Sequence, residues 1–155
     1  MIKLVYLIKK RQDLTDAEFK TYWRETHSKL IEESAPTLRA VRYAMSLSID
    51  TLCNTCVAKP RGLSVPDYEG VIEIWWNNLD DYIAGAGAAA GIAAIDAIVD
   101  GERRFIDFAN SASFFTEEEV VFDWISTQGS SKQDQITFHS KFQLSNETST
   151  TSLIK

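Results

Sequence analysis

The order of strand and helix patterns along the chain is the feature that most constrains its fold. A strand pattern, an amphipathic helix and a second strand pattern come first, and the same strand–helix–strand order then repeats. This order is typical of the ferredoxin-like split βαβ arrangement, in which helices cover one face of an antiparallel sheet. We therefore predict an α+β ferredoxin-like sandwich.

The strand patterns are rich in β-branched and aromatic residues. They occupy residues 2–9, 39–49, 68–76 and 112–122. The first pattern carries apolar residues on both faces, which predicts a central strand covered on both sides. Because helices cover only one sheet face in this fold, we expect a second copy of the chain to cover the other. The predicted assembly is a homodimer with facing sheets, a dimeric α+β barrel.

The clearest helix pattern lies between Thr15 and Pro36. Thr15 and Glu18 fit a capping box, which predicts the start of the helix, and Pro36 predicts its end. Apolar residues recur between them at i, i+3, i+4 and i+7, and this stripe includes Phe19, Trp23 and His27. The helix is therefore expected to turn His27 toward the sheet.

A second helix, built of small residues, is predicted from about Leu79 to Val99. A break is predicted near Gly85–Gly91 and a C-cap at Gly101, and a short helical turn is expected to follow in ERRFIDF. Residues 50–67 hold three turn-forming residues and both cysteines, which predicts a long loop.

Charge and hydropathy limit the classes of partner. Lys and Arg number 16 against 22 for Asp and Glu, so the formal net charge is −6. This balance disfavours a nucleic acid or an anionic membrane as partner. The apolar stretch 84–99 is too short and too weakly apolar to span a bilayer, and the N-terminus lacks the pattern of a signal peptide. We expect a cytoplasmic protein.

A change in composition near the C-terminus divides the 155 residues into two parts. Residues 1–123 are predicted to form the α+β barrel domain, because a chain of this length makes about one domain. Residues 124–155 are rich in Ser and Thr and poor in long apolar side chains. They are predicted to form a polar tail that is mobile or packs on the partner subunit.

Several motifs together resemble the EthD-like family of the dimeric α+β barrel superfamily. They are the N-terminal strand IKLVYLIKKR, the helix DLTDAEFKTYWRETHSKLIEE with its aromatic pair and histidine, the strand YEGVIEIWW, and the closing stretch RRFIDFANSASFFTEEEVV. The resemblance covers roughly residues 2–121. Family members commonly have His-x-Pro, whereas Ser28 and Lys29 follow His27 here. The helix is therefore expected to run on past His27 without being reshaped there.

The resemblance implies an activity without a cofactor. Similar proteins act on aromatic polyketide intermediates as decarboxylases, dehydratases or quinone-forming monooxygenases, and others are isomerases or accessory proteins. We predict a cofactor-free lyase, a decarboxylase or dehydratase, or an isomerase, that acts on a keto-enol intermediate of secondary metabolism. One alternative is an anthrone-type monooxygenase that forms a quinone. A second alternative is a non-catalytic protein of the same fold that binds a small molecule.

Three residues are candidates for acid–base catalysis. A neutral imidazole suits proton transfer near neutrality, so His27 is the first candidate, with a core histidine as the alternative. Glu73, inside a strand, could act as acid or base or orient His27, or it could occupy a solvated or dimer-interface position. Asp107 matches the acidic position of the family's closing stretch, and an ion pair with Arg103 or Arg104 is its alternative.

Six residues are candidates for substrate binding. Aromatic side chains could line a flat pocket for a polycyclic ligand, with phenol groups as hydrogen-bond partners, and an arginine could hold a carboxylate or enolate. For each residue, packing or a solvated position is the alternative. The candidates are Tyr6, Tyr22, Trp23, Arg42, Tyr43 and Trp75.

Two further motifs do not predict a cofactor. The CxxC formed by Cys53 and Cys56 has no second pair for a zinc site. The stretch GAGAAAG, Gly85 to Gly91, lacks both the spacing and the preceding strand of a dinucleotide fingerprint. We therefore expect a small aromatic substrate, no metal and no cofactor.

Overall fold

The computed structural model describes residues 1–65, 67–122 and 124. The strands are β1 (Ile2–Ile8), β2 (Arg42–Leu47), β3 (Gly70–Trp76) and β4 (Ala112–Glu117). The helices are α1 (Asp16–Tyr22), α2 (Ser28–Leu38), α3 (Leu52–Ala58), α4 (Leu79–Gly87) and α5 (Ala89–Glu102). A π-helical segment (Trp23–His27) joins α1 to α2, and a 3₁₀ turn (Lys59–Arg61) follows α3.

The strands form one antiparallel sheet in the order β2-β3-β1-β4. This order confirms the predicted ferredoxin-like α+β fold and the central position of β1. Residues at alternate positions face opposite sides of a strand. Tyr6 pairs with Ile72, and Val5 pairs with Glu73 and Phe114. The first pair lies on the face that the helices cover, and the second set lies on the face that they leave uncovered, which we call the outer face.

The first helix is continuous from Asp16 to Leu38 but changes its geometry in the middle. The capping box of Thr15 and Glu18 is confirmed, and the helix runs on past His27, as predicted. Two predictions were wrong. The helix is reshaped at His27 into a π turn, and it contains Pro36 and ends only at Leu38. Pro36 lies in the last turn, where its missing amide removes one helical hydrogen bond, and Arg39 ends the helix in a left-handed conformation.

The second helix is broken, as predicted, and becomes α4 and α5. The two helices meet at Ala88 with a bend of 87°. The predicted C-cap at Gly101 was wrong, because α5 continues through Gly101 to Glu102. No single described helix is long and apolar enough to cross a membrane. Among the described residues, only α4 and α5 taken together have the length and apolar composition of a membrane-spanning segment, and they are bent.

Close backbone contacts hold the bend between α4 and α5. A Cβ atom at Gly91 would lie 1.8 Å from the carbonyl oxygen of Gly85, and one at Gly85 would lie 2.5 Å from the carbonyl oxygen of Leu38. The same Leu38 oxygen accepts a hydrogen bond of 2.8 Å from Trp76 Nε1. The small residues therefore serve close packing of α4 on α5 and on the end of α2.

We expect Gly91→Ala to lower the free energy of unfolding by about 2 kcal/mol, because the added methyl group displaces backbone. Gly87→Ala is the matched control, since a Cβ at Gly87 has no atom within 4 Å outside its local backbone and alanine favours a helix. Urea denaturation of both variants measures the difference. Equal stability of the two variants would contradict the packing argument.

The remaining differences from the predictions lie in the connections. The predicted loop 50–67 contains α3, which Thr51 caps by accepting a hydrogen bond from the Cys53 amide. Strand β4 ends at Glu117, short of the predicted residue 122, because Glu117 pairs with Ile2 at the start of β1. Beyond this point β1 offers no further partner residues.

Residues Met1–Glu118 form one compact unit, and the described residues 119–122 and 124 belong to a second unit. In the second unit, the rings of Phe122 and Trp124 lie 5.2 Å apart. The predicted tail 124–155, except for Trp124, lies outside the described residues, so the predicted boundary at residue 123 stays a prediction. The core of the first unit is formed by Ile8, Phe19, Trp23, Ile72, Phe105 and Ile106.

Candidate active site

A cavity of about 400 Å³ lies between the sheet and the helices. This volume is in the range of small-molecule sites. Its walls are mostly aliphatic and aromatic, with a few polar groups among them. The polar side chains on its wall belong to Tyr6, His27, Tyr43, Tyr82, Glu102 and Ser113. The apolar wall includes Leu4, Ile31, Ile72, Ile74, Trp76, Ile95, Ile98, Val99 and Phe108.

The π segment places His27 on this wall. Phe19, Trp23 and His27 recur every four residues, a spacing that drifts around an α-helix of about 3.6 residues per turn. In the π segment the Ser28 amide donates to the Trp23 carbonyl, five residues back, and the wider turn opposes that drift. All three side chains are therefore buried on one face. The His27 ring packs 5.0 Å from the ring of Phe105.

His27 and Glu102 face each other in the cavity. The distance from His27 Nε2 to Glu102 Oε1 is 3.9 Å, longer than a hydrogen bond. The His27 side chain is 0% exposed and the Glu102 side chain 13%. Within the described residues, neither ring nitrogen of His27 has a hydrogen-bond partner. A buried polar group without a partner is costly, and His27 lines the cavity, so its ring is a candidate to contact a ligand there.

Gly101 allows α5 to approach the imidazole. A Cβ atom at Gly101 would lie 3.4 Å from His27 Nδ1 and 3.3 Å from a methyl carbon of Leu30. Glu102, the next residue, then reaches the Nε2 side of the same ring. The end of α5 thus positions a backbone next to one nitrogen and a carboxyl group near the other.

Burial shifts both ionisable groups toward their neutral forms. It lowers the pKa of His27 to about 4 and raises the pKa of Glu102 to about 7. Near neutral pH the imidazole is therefore uncharged and able to accept a proton. The carboxyl group is close to half protonated and able to donate or accept one.

Tyr6 and Tyr43 add two hydroxyl groups to the polar part of the cavity. Burial, with a smaller effect of the nearby Glu102 charge, raises the pKa of Tyr6 and raises that of Tyr43 to about 12. Both phenols stay protonated at neutral pH and can donate hydrogen bonds. The Tyr43 hydroxyl also accepts a hydrogen bond of 3.1 Å from Trp23 Nε1, which fixes its position.

Three predicted site residues lie on the outer face of the sheet, away from this cavity. Glu73 accepts a hydrogen bond of 2.8 Å from Lys3, and the Arg42 guanidinium stacks 4.4 Å from the centroid of Trp75. Their alternation along β2 and β3 places them opposite Tyr43 and Ile74. Glu73, Arg42 and Trp75 therefore belong to a charged and aromatic cluster that the described cavity does not include.

Three other predicted residues lie near the helices but do not line the cavity. Trp23 is fully buried in the core and reaches the site only through its bond to Tyr43. Tyr22 packs on Phe105 and faces a separate surface depression. Asp107 accepts hydrogen bonds from the Ala109 amide and the Asn110 side chain, so it shapes the turn before β4. Of the predicted residues, His27, Tyr6 and Tyr43 share the cavity.

Glu102 is a site residue that the sequence analysis missed, as are Tyr82 and Ser113. We interpreted Glu102 as the start of a short turn, whereas it ends α5. A signal was present in the sequence, because Ile95, Ile98, Val99 and Glu102 recur at helical spacing and all line the cavity. Extending the apolar stripe of α5 by one turn would have placed a carboxyl group on its buried side.

Metal-ligating side chains do not cluster in the described part of the chain, where no group of three or more His, Cys, Asp or Glu residues could hold an ion. Cys53 and Cys56 are free and exposed on α3. Neither cysteine lines the cavity of His27.

The fold and the cavity define a ferredoxin-like α+β protein with a small-molecule-sized site under its helices. The chain belongs to the EthD domain family, whose model matches residues 11–109, more than half of its length. The comparison with curated proteins finds no match.

Several solved structures are similar to this chain. An EthD family protein from Bacillus halodurans shares the fold with a TM-score of 0.52 and 18% identity, over 77% of this chain and 99% of that chain. A dimeric ferredoxin-like protein of unknown function from Bacteroides fragilis has a TM-score of 0.49 and 15% identity, over 76% and 95%. SnoaB, a cofactor-independent oxygenase from Streptomyces nogalater, has a TM-score of 0.47 and 13% identity, over 79% and 97%.

Proposed function

We propose that the protein is a cofactor-free cytoplasmic enzyme that transfers protons on an enolisable aromatic molecule, as a lyase or an isomerase. The observation that carries this proposal is the His27 imidazole, buried without a hydrogen-bond partner among the described residues and 3.9 Å from Glu102. A polyketide-type keto-enol intermediate, as in a decarboxylase or dehydratase reaction, is the substrate class we propose.

In the dehydratase or isomerase reaction, the first step is the removal of a proton from a carbon next to a carbonyl group. His27 Nε2 accepts this proton, and the electron pair of the C–H bond moves into the carbonyl to form an enolate. The hydroxyls of Tyr6 or Tyr43 donate hydrogen bonds to the enolate oxygen. Arg42 is not used in this step, because it lies on the outer face. Aromatic walls such as Trp76 and Phe108 suit a flat ring system.

Deuterium exchange tests the proposal without knowledge of the natural product. The probe is 2-tetralone, a neutral aromatic ketone with exchangeable protons next to its carbonyl group. We expect the protein in D₂O to accelerate exchange at this carbon above the buffer rate, as measured by proton NMR. Binding without acceleration would contradict the enzyme assignment and identify a small-molecule-binding protein.

Oxygen uptake separates the proposed reactions from the monooxygenase alternative. An oxygenase would also begin with deprotonation but would then consume O₂. With anthrone as probe, we expect no enzyme-dependent uptake in an oxygen electrode. Uptake with formation of the quinone would replace the lyase or isomerase assignment by that of a cofactor-free monooxygenase.

We also propose that the chain is a homodimer that buries the outer face of its sheet. Val5, Val71 and Phe114 lie on this face, and Phe114 is 50% exposed. Uncovered apolar side chains on one face of a sheet are typical of an interface.

We expect Phe114→Glu to convert the dimer to a monomer, because each subunit would bury an unpaired carboxylate at the interface. Ile92→Glu is the matched control, since Ile92 is 52% exposed but lies on α5, in the helix layer. Sedimentation equilibrium measures the mass of both variants and of the wild type. A monomeric wild type, or a Phe114→Glu variant that stays dimeric, would contradict the interface.

A further inference from the structure

We propose that the substrate of the His27 cavity is uncharged, a neutral ketone or phenol without a carboxylate. The reaction is then a dehydration or an isomerisation, not a decarboxylation. This inference rests on the proposed function and narrows its substrate class. The observation behind it is the composition of the cavity wall, where the described lining residues include no lysine and no arginine.

Three cations that adjoin or contact lining residues are engaged elsewhere or point to solvent. On the outer face of the sheet, Lys3 pairs with Glu73 at 2.8 Å and Arg42 stacks on Trp75. Arg103 contacts a lining residue, because its guanidinium lies 5.7 Å from the ring centroid of Phe108. The Arg103 side chain is 65% exposed and lies 3.7 Å from Asp100, so it points to solvent near the cavity wall.

A carboxylate in this cavity would lose its hydration without gaining a cation. Burial of an unpaired charge among apolar side chains is strongly unfavourable. His27 offers little compensation, since its burial favours the uncharged imidazole. Glu102 adds repulsion whenever it is ionised, because like charges at close range oppose each other. The walls therefore select for a neutral molecule with hydrogen-bonding oxygens, which the tyrosine hydroxyls can bind.

Dehydration of a neutral β-hydroxy ketone uses both members of the pair. His27 Nε2 takes a proton from the carbon next to the carbonyl group, and the C–H electron pair forms the carbon–carbon double bond as the C–O bond breaks. Glu102, as the protonated acid, gives its proton to the departing hydroxyl group, which leaves as water. The imidazolium then returns a proton to the Glu102 carboxylate. In an isomerisation, the proton taken by His27 is instead returned at another atom of the substrate.

Three matched probes test the charge of the ligand by calorimetry at about pH 8, where a free aromatic acid is ionised. They are 2-naphthol, 3-hydroxy-2-naphthoate and the methyl ester of that acid, which is neutral and no smaller than the carboxylate. We expect the phenol and the ester to bind at least about tenfold more tightly than the carboxylate. Shifts of the His27 ring signal in NMR, assigned with His27→Leu, locate binding in the cavity.

Two variants test the cause of the expected difference in affinity between the carboxylate and the neutral probes. Glu102→Gln should reduce the disadvantage of the carboxylate, because it removes the like charge. Arg103→Ala should change none of the three affinities. Carboxylate binding as tight as that of the ester, carboxylate binding that depends on Arg103, or failure of all three probes to shift the His27 signal would overturn the inference. The binding assay needs no turnover, so a protein that prefers neutral probes but does not exchange 2-tetralone would contradict the proposed function alone.

Discussion

Replacement of His27 by leucine is expected to reduce the enzyme-dependent deuterium exchange of 2-tetralone by about a thousandfold while leaving the fold at least as stable. The loss follows because general-base catalysis contributes a factor of about 10² to 10⁴. Stability is retained because His27 is buried with both ring nitrogens unpartnered within the described residues. An apolar side chain of similar volume removes this cost, so the free energy of unfolding should rise by about 1 kcal/mol at neutral pH.

The pH dependence of the His27→Leu effect has a defined sign. The pKa of His27 is lowered by burial from 6.5 to about 4, so the unfolded chain binds a proton in this range that the folded chain does not. The contribution of His27 to the stability of the wild type therefore decreases as pH falls from about 6.5 toward 4, and this decrease is absent in the leucine variant. The difference in the free energy of unfolding between the leucine variant and the wild type should therefore grow as pH falls over that range, as measured by urea denaturation.

Ser34→Ala is the control for His27→Leu. Ser34 is a buried polar residue on the same helix, 8% exposed, and does not line the cavity. We expect it to retain exchange activity. Full exchange activity in His27→Leu would contradict the assignment of proton transfer to His27. A decrease of several kcal/mol in the free energy of unfolding of that variant would show that the imidazole has stabilising partners.

Replacement of Glu102 by glutamine is expected to make the protein more stable at alkaline pH and about a hundredfold less active. The pKa of Glu102 is raised by burial from 4.5 to about 7, so the folded chain holds a proton that the unfolded chain releases. Its contribution to stability is present below about pH 4.5 and is lost as pH rises through about 7. Glutamine has no such proton, so the variant should gain up to about 3 kcal/mol relative to the wild type between about pH 5 and pH 9.

The groups that face Glu102 are the same in both proteins. They are His27 on the π segment, Tyr6 on β1 and Tyr43 on β2. Their own titrations largely cancel when the variant is compared with the wild type at each pH. Asp96→Asn on the same helix is the control, since Asp96 is exposed. A stability difference for Glu102→Gln that does not change with pH would contradict a buried carboxyl group.

The fold was predictable because its signals are local and repeated. The alternation in β3 puts Ile72 and Ile74 on one face and Glu73 and Trp75 on the other, in agreement with the strand pairing. The apolar stripe of the first helix likewise turned His27 toward the sheet, where it is buried. Periodicity fixes which face a side chain occupies, and the helices of this fold cover one sheet face only.

The composition of the site was less predictable because it depends on which faces meet. The alternation of residues places Trp75 and Arg42 on the opposite sheet face from Tyr43. It does not indicate which of the two faces borders the cavity. The π turn at Trp23–His27 has no short sequence motif that would predict it. Glu102 was not predicted as a site residue because Gly101 was interpreted as a helix cap. Gly101 instead lets α5 continue past the imidazole.

The most direct test of the account is an NMR titration of the His27 ring in the wild type, with and without 2-naphthol. The account predicts a neutral imidazole with a pKa well below the usual 6.5, near 4, and a ring signal that shifts when the neutral ligand binds. A ring that titrates near 6.5 and does not respond to the ligand would contradict a buried proton-transfer group in a ligand cavity.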